Sequence, residues 1–130
     1  MEQVKKTLTG SEWMIMSALW GREPQILSEI IDSLKGKVKW GYPTYSTHLN
    51  RLSQKGMIAF RQRGRNKYYY PLVGKDDCIR AESRSIMERL DEEGAKKLLL
   101  CMIRETKLSK SDQEELKSLI DTLSDAAEDE

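Results

Sequence analysis

The sequence predicts a mostly α-helical chain with one small β-hairpin near its middle. Three observations carry this. Up to Gly56 the chain holds three short apolar patterns of helical period, each closed by a glycine. The period then shortens to that of strands on either side of a glycine-containing turn. After Gly74 the spacing is helical again to the end.

Thr9 followed by Glu12 is a capping box, and it opens a helix that runs to about Trp20. Trp13, Met16 and Trp20 share a face, and Gly21 ends the helix. A second helix spans about Leu27 to Leu34, with Leu27, Ile30, Ile31 and Leu34 as its apolar stripe and Gly36 as its stop. The third begins at Pro43, whose fixed φ suits a first helical position, and runs to Lys55 before Gly56. Met57–Arg61 and Lys67–Leu72 read as strands joined through Gln62-Arg63-Gly64-Arg65-Asn66. Three short helices and a basic-tipped hairpin make a helix-turn-helix with a wing.

The remainder reads as helices over Asp76–Leu90, with Ile79, Ile86, Met87 and Leu90, and over Ala95–Arg104, with Leu98, Leu99, Met102 and Ile103. Gly94 is the expected break between them. Ser109 with Asp112 starts a last helix carrying Leu116, Leu119, Ile120 and Leu123, and the acidic tail from Asp125 is expected to fray. The sequence thus divides into a winged-helix domain over residues 1–74 and a helical domain over 75–130.

Charge follows the same division. The total is 22 Lys+Arg against 21 Asp+Glu, a net of +1. Residues 1–74 carry +7 and residues 75–130 carry −6. Between Asp32 and Asp76 lie 43 residues with ten basic side chains and no carboxylate. Solvated surfaces normally mix both signs, so this stretch points to a polyanionic partner.

A helical wheel of the third helix puts Tyr45, Leu49 and Leu52 toward the core. The opposite side shows Pro43, Ser46, Thr47, Asn50 and Gln54, flanked by Thr44 and Arg51. Its side chains are mostly short and none is acidic, which lets a helix lie deep in a major groove and reach base edges. An ordinary solvated face would carry Glu–Lys pairs instead. At the hairpin, Arg61, Arg63, Arg65 and Lys67 are expected to line one edge and meet phosphates or a minor groove. Tyr68, Tyr69 and Tyr70 read as packing residues.

Other chemistry is not encoded. His48 is the sole histidine, with no carboxylate or cysteine close in sequence. Cys78 and Cys101 lack zinc or disulfide spacing and read as buried thiols. No nucleophile–base pair or phosphate-cradling loop is visible, so neither an enzyme nor a metal or cofactor is expected. The start, Met1–Thr9, is polar with Lys5 and Lys6, and no apolar segment follows, so a signal peptide is not expected. The longest apolar run, Leu98–Ile103, is far short of a membrane span, and a reducing cytoplasm is the expected compartment.

The stretch Trp40-Gly-Tyr-Pro-Thr-Tyr-Ser-Thr-His-Leu-Asn-Arg-Leu-Ser-Gln-Lys-Gly-Met-Ile resembles the penicillinase repressor (BlaI/MecI) family. Trp40, Thr44, Thr47, Arg51, Leu52, Lys55, Gly56 and Ile58 fall at the family's spacing. The first-helix stretch from Leu8, the Tyr69-Tyr-Pro-Leu after the wing, and Leu108-Ser-Lys-Ser-Asp near the end are similar to it as well. The resemblance implies a homodimeric repressor of palindromic operator DNA. It implies DNA contacts from Thr9, Ser11, Trp40, Tyr42, Pro43, Thr44, Ser46, Thr47, Asn50, Arg51, Lys55, Arg63, Arg65 and Lys67, with Arg51, Lys55 and the wing anchoring phosphates. Dimerisation would rest on Ile79, Ile86, Leu90, Leu98, Leu99, Met102, Leu116, Leu119, Ile120 and Leu123. These stripes exceed what three short helices can bury among themselves, which independently favours a twofold partner.

Departures accompany the likeness. Family members often carry long basic or amide side chains where this chain has Pro43 and Ser46, so a different operator is expected. In the antibiotic-resistance members a membrane-sensor pathway leads to cleavage of an Asn-Phe bond. Alignment puts Cys101-Met102 at that place as the candidate proteolysis site, without the Asn-Phe pair. The Cys-x-Cys pairs of a copper-sensing branch are absent. The competing reading is a protein-interaction adaptor on a winged-helix scaffold, which the carboxylate-free stretch disfavours unless the partner is acidic.

Overall fold

A computed structural model of the protein describes residues 7–128, with side chains through Ser124. The polar start bearing Lys5 and Lys6 therefore lies outside the described residues. The chain divides into two compact units, residues 1–89 and 90–130.

In the first unit α1 spans Gly10–Leu19, α2 Leu27–Leu34 and α3 Tyr42–Gln54. The hairpin strands are β1, Ile58–Arg63, and β2, Asn66–Pro71, and α4 follows at Lys75–Arg89. The capping box at α1 forms as expected: the Thr9 hydroxyl accepts from the Glu12 N–H and the Glu12 carboxylate accepts from the Thr9 N–H. At its other end the Trp20 indole donates to the Val73 carbonyl at 3.0 Å, tying α1 to the exit of the wing. Helix α3 starts one residue earlier than expected, with Gly41 as its cap and Pro43 second in the helix. It stops in a Schellman turn, in which the Gly56 N–H bonds Ser53 O and the Met57 N–H bonds Leu52 O. Leu52 and Met57 are both buried at that turn.

The core joins Ile15, Met16 and Leu19 of α1 to Ile30 and Leu34 of α2 and to Tyr45, Leu49 and Leu52 of α3. Met57, Ile58 and Tyr69 close it from the hairpin. Cys78 of α4 is fully buried in the same cluster, which carries the first compact unit past Gly74 into α4. The α1–α2 connection contributes as well. Gln25 and Tyr69 exchange both backbone hydrogen bonds, at 2.9 and 2.8 Å, so the connector is pinned to β2 by one antiparallel bridge beside the two-stranded sheet. The buried Gln25 amide donates to Ala18 O at 2.6 Å, satisfying a group that could not otherwise sit inside.

The hairpin is longer and its turn tighter than the sequence suggested. Arg63 pairs with Asn66, leaving only Gly64-Arg65 between the strands. Gly64 has φ +60°, and among the described residues no residue other than glycine has a positive φ, which fits a turn with glycine at its first central position.

In the second unit α5 spans Glu92–Glu105 and α6 Lys110–Glu128. Gly94 is not the break. Asp91 caps α5 by accepting from the Gly94 N–H at 2.7 Å, so Gly94 sits in the first turn. A Cβ at Gly94 would lie 2.9 Å from the Asp91 carboxylate, which is why glycine suits this cap. Ser109 and Asp112 cap α6 as expected, and the acidic tail expected to fray is helical to Glu128. Helix α5 buries no residue. Leu99, Leu100 and Met102 on it, and Leu119, Ile120 and Leu123 on α6, are more than half or about half exposed. Cys101 is exposed too, contrary to the buried thiol expected, because it belongs to this uncovered helix. Among the described residues no helix is long and apolar enough to cross a membrane.

Candidate nucleic-acid interface

Helix α3 presents the faces its sequence implies. Tyr45, Leu49 and Leu52 are buried, while Pro43, Thr44, Thr47, Asn50, Arg51 and Gln54 are exposed and Ser46 is half-buried. What holds the helix outward is an aromatic bracket on its inner flank. Trp40 meets Tyr45 edge-on at 5.2 Å and lies 4.7 Å from His48. Trp40 thus packs against the core as a half-buried support. The Nδ1 atom of His48 is buried with no hydrogen-bond partner.

The wing faces two ways, which corrects the single basic edge expected. Strand pairing puts Arg61 opposite Tyr68 and Arg63 opposite Asn66, so both arginines share one face. Lys67 pairs with Gln62 and faces the other way, its ammonium 4.7 Å over the Phe60 ring. The two-residue turn fixes this, because it sets an alternation in which residues 63 and 67 cannot project together. Arg61 stacks 5.5 Å over Tyr70 on its own face.

Each face borders a cleft. On the α3 side a cleft of about 660 Å³ is lined by Ile26, Leu27, Ser28 and Ile31 of the α2 region, by Tyr42, Ser46 and Asn50 of α3, and by Arg65, Asn66, Lys67 and Tyr69 of the wing. None of these is acidic. On the far side a cleft of about 400 Å³ is lined by Arg61, Arg63, Tyr68 and Tyr70 of the wing together with Glu23, Pro24 and Glu29. The first cleft gathers Tyr42, Ser46, Asn50, Arg65 and Lys67 from the sequence-derived set and leaves Arg63 behind the wing. It also adds Ser28 and Asn66, which local sequence did not single out because only the packing of α2 and the turn register bring them here. Burial raises the Tyr69 phenol above its ordinary value, with Tyr42 adding to the shift.

Three residues at the base of α1 and the end of α3 form a separate group. Glu12 is only 2% exposed, yet it is charged. Burial pushes its carboxyl up, but hydrogen bonds from the Lys55 ammonium and the Thr9 N–H and the nearby positive charge outweigh that, and the net shift is downward. The Lys55 Nζ stands 2.6 Å from Glu12 Oε1. Thr9 and Lys55, both expected at DNA, are thus engaged with Glu12, and Ser11 is half-buried beside them. Among the described residues no group of His, Cys, Asp and Glu could hold a metal ion.

A tri-helical core that thrusts α3 outward beside a basic hairpin defines a DNA-binding protein of the winged helix-turn-helix class. The chain belongs to the penicillinase repressor family, whose pattern matches residues 8–122. It is 24% identical to the methicillin resistance regulatory protein MecI of Staphylococcus epidermidis over 120 residues, covering 92% of this chain and 98% of that one. It is 25% identical to the penicillinase repressor of Staphylococcus aureus over 115 residues, covering 88% and 90%. The solution structure of the DNA-binding domain of the repressor BlaI matches with a TM-score of 0.52 at 26% identity, over 59% of this chain and 93% of that one. Bacillus licheniformis BlaI, as a monomeric form in complex with the blaP half-operator, matches with a TM-score of 0.50 at 26% identity and the same coverage.

Proposed function

We propose that this chain represses transcription in the cytoplasm by binding a palindromic operator as a homodimer, with α3 in the major groove and the wing on the flanking backbone. The observation that carries this is the cleft between α2, α3 and the wing. It combines two cations with hydroxyl and amide groups and excludes carboxylates, which is the chemistry of a phosphodiester strand. Arg65 and Lys67 anchor phosphates from inside the cleft, and Arg63 reaches the backbone from the other face of the wing. Arg51 adds an exposed cation near the end of α3. Residues 75–130 supply the dimer contacts through the apolar stripes of α4, α5 and α6, which are largely uncovered in a single chain. The test is a titration of the protein with duplex from its own promoter region at several salt concentrations. A linear fall of log affinity with log salt is expected, and a flat line would overturn the reading.

Induction by a regulatory protease would act at Cys101–Met102, inside α5. A hydrogen-bonded helix does not fit a protease cleft, so cut product should form only under conditions that unwind α5. Limited proteolysis of free and DNA-bound protein measures this directly.

A further inference from the structure

We infer that α3 recognises its half-site through thymine methyl groups. The inference rests on the reading that α3 enters the major groove, and it names what the helix reads there. The N-terminal residues of a recognition helix are those that meet base edges. The exposed residues in the first two turns of α3 are Tyr42, Pro43, Thr44 and Thr47. Tyr42 lines the wing cleft, while Pro43 and Thr47 stand one turn apart opposite the core with Thr44 beside them. Pro43 has no N–H and offers only C–H surface. Thr47 has a hydroxyl, but its hydrogen is directed into its own helix: Oγ1 donates to the Pro43 carbonyl at 3.0 Å. Neither residue can donate a hydrogen bond to a base. What they offer jointly is a pyrrolidine ring and a methyl group, one turn apart on one face, with Thr47 Oγ1 remaining only as an acceptor.

The edges of the four base pairs differ in what can answer such a surface. Guanine and adenine present N7 acceptors and polar exocyclic groups, and cytosine presents an amino donor. Only thymine carries an apolar group, the C5-methyl. A polar edge set against Pro43 would lose its water and gain no partner, which is unfavourable. The long donor Arg51 lies eight residues beyond Pro43, about 12 Å along the helix and away from the N-terminal residues that meet base edges. Asn50 and Ser46 turn toward the wing cleft. The Pro43–Thr47 part of the outward face is thus matched to a thymine methyl, with the Thr44 hydroxyl beside it for polar contacts.

The experiment starts by selecting sites for the full-length protein from a randomised thymidine-containing duplex library. Each thymine of the selected half-site is then replaced singly by deoxyuridine, which deletes the methyl and nothing else. At one or two positions per half-site uracil should weaken binding about fourfold, the value of one buried methyl group. Thr47→Ser keeps the hydroxyl and removes the side-chain methyl, so it should abolish the thymine–uracil difference at one of those positions. Pro43→Ala should shrink it at a neighbouring one. Uracil that is silent at every position, in a site that still binds with steep salt dependence, overturns the inference and leaves the proposed function intact. A selection that enriches no site at all overturns both.

Discussion

Replacing Lys55 by methionine separates two roles that the sequence alone could not. The substitution keeps the aliphatic stem and removes the ammonium that stands 2.6 Å from Glu12 Oε1. Glu12, 2% exposed, would then be a buried carboxylate held only by the end of α1. Breaking a buried pair from one side costs about 3–5 kcal/mol. The Lys55 side chain is 38% exposed, so water screens part of that charge and the cost falls to about 2 kcal/mol. Urea unfolding at fixed protein concentration should show this loss near neutral pH, with Glu12→Gln and the double variant completing a cycle that isolates the pair. The pH dependence adds a second signature. The native Glu12 carboxyl titrates below 4.5, so its contribution is fully present above that value and lost as pH falls through the lowered native value. In the Lys55→Met protein burial is less opposed, the native value moves up, and the acid-side loss of stability shrinks or reverses. DNA binding supplies the third readout. A lost phosphate contact lowers the salt slope by about 0.9, whereas a lost support weakens binding at unchanged slope. A Lys55→Met protein of wild-type stability whose slope falls by that amount would refute the structural role.

Other consequences are testable alongside. Arg63→Ala, Arg65→Ala and Lys67→Ala should each weaken binding to all duplexes and reduce the salt slope by about 0.9. Leu99→Asp with Leu119→Asp should shift the protein from dimer to monomer in sedimentation equilibrium and weaken operator binding, since each buries a charge in the proposed interface; retention of the dimer would exclude these faces. Gly94→Ala should cost about 1 kcal/mol in thermal or urea unfolding, because its Cβ displaces the Asp91 carboxylate that caps α5.

The first three helices were legible because their determinants are local. The Thr9–Glu12 box, the 3-4 spacing of Ile30, Ile31 and Leu34, and the buried Tyr45-Leu49-Leu52 stripe each lie within one element. What the sequence misplaced depends on a distant chain neighbour, on a single torsion, or on a cap that a linear apolar pattern does not register. The direction of Arg63 turns on whether the hairpin loop holds five residues or two, and Gly64 decides that. Gly94 reads as a stop in a linear pattern, yet it is a contact residue for the Asp91 cap. The Lys55–Glu12 pair spans 43 positions and leaves no periodic trace, so a residue in a basic stretch passed as a phosphate contact. The basic surface itself was legible from charge segregation, but its division into two clefts was not, because strand register assigns the faces.

The pairing of Gln25 with Tyr69 has a mechanical meaning. It clamps the wing at its root to the α1–α2 connector, while the strands beyond run free to Arg65. The wing is thus a cantilever about 13 Å long, four residues of extended chain from clamp to tip. A tilt of about 5° at the clamp swings the tip by about 1 Å at that length.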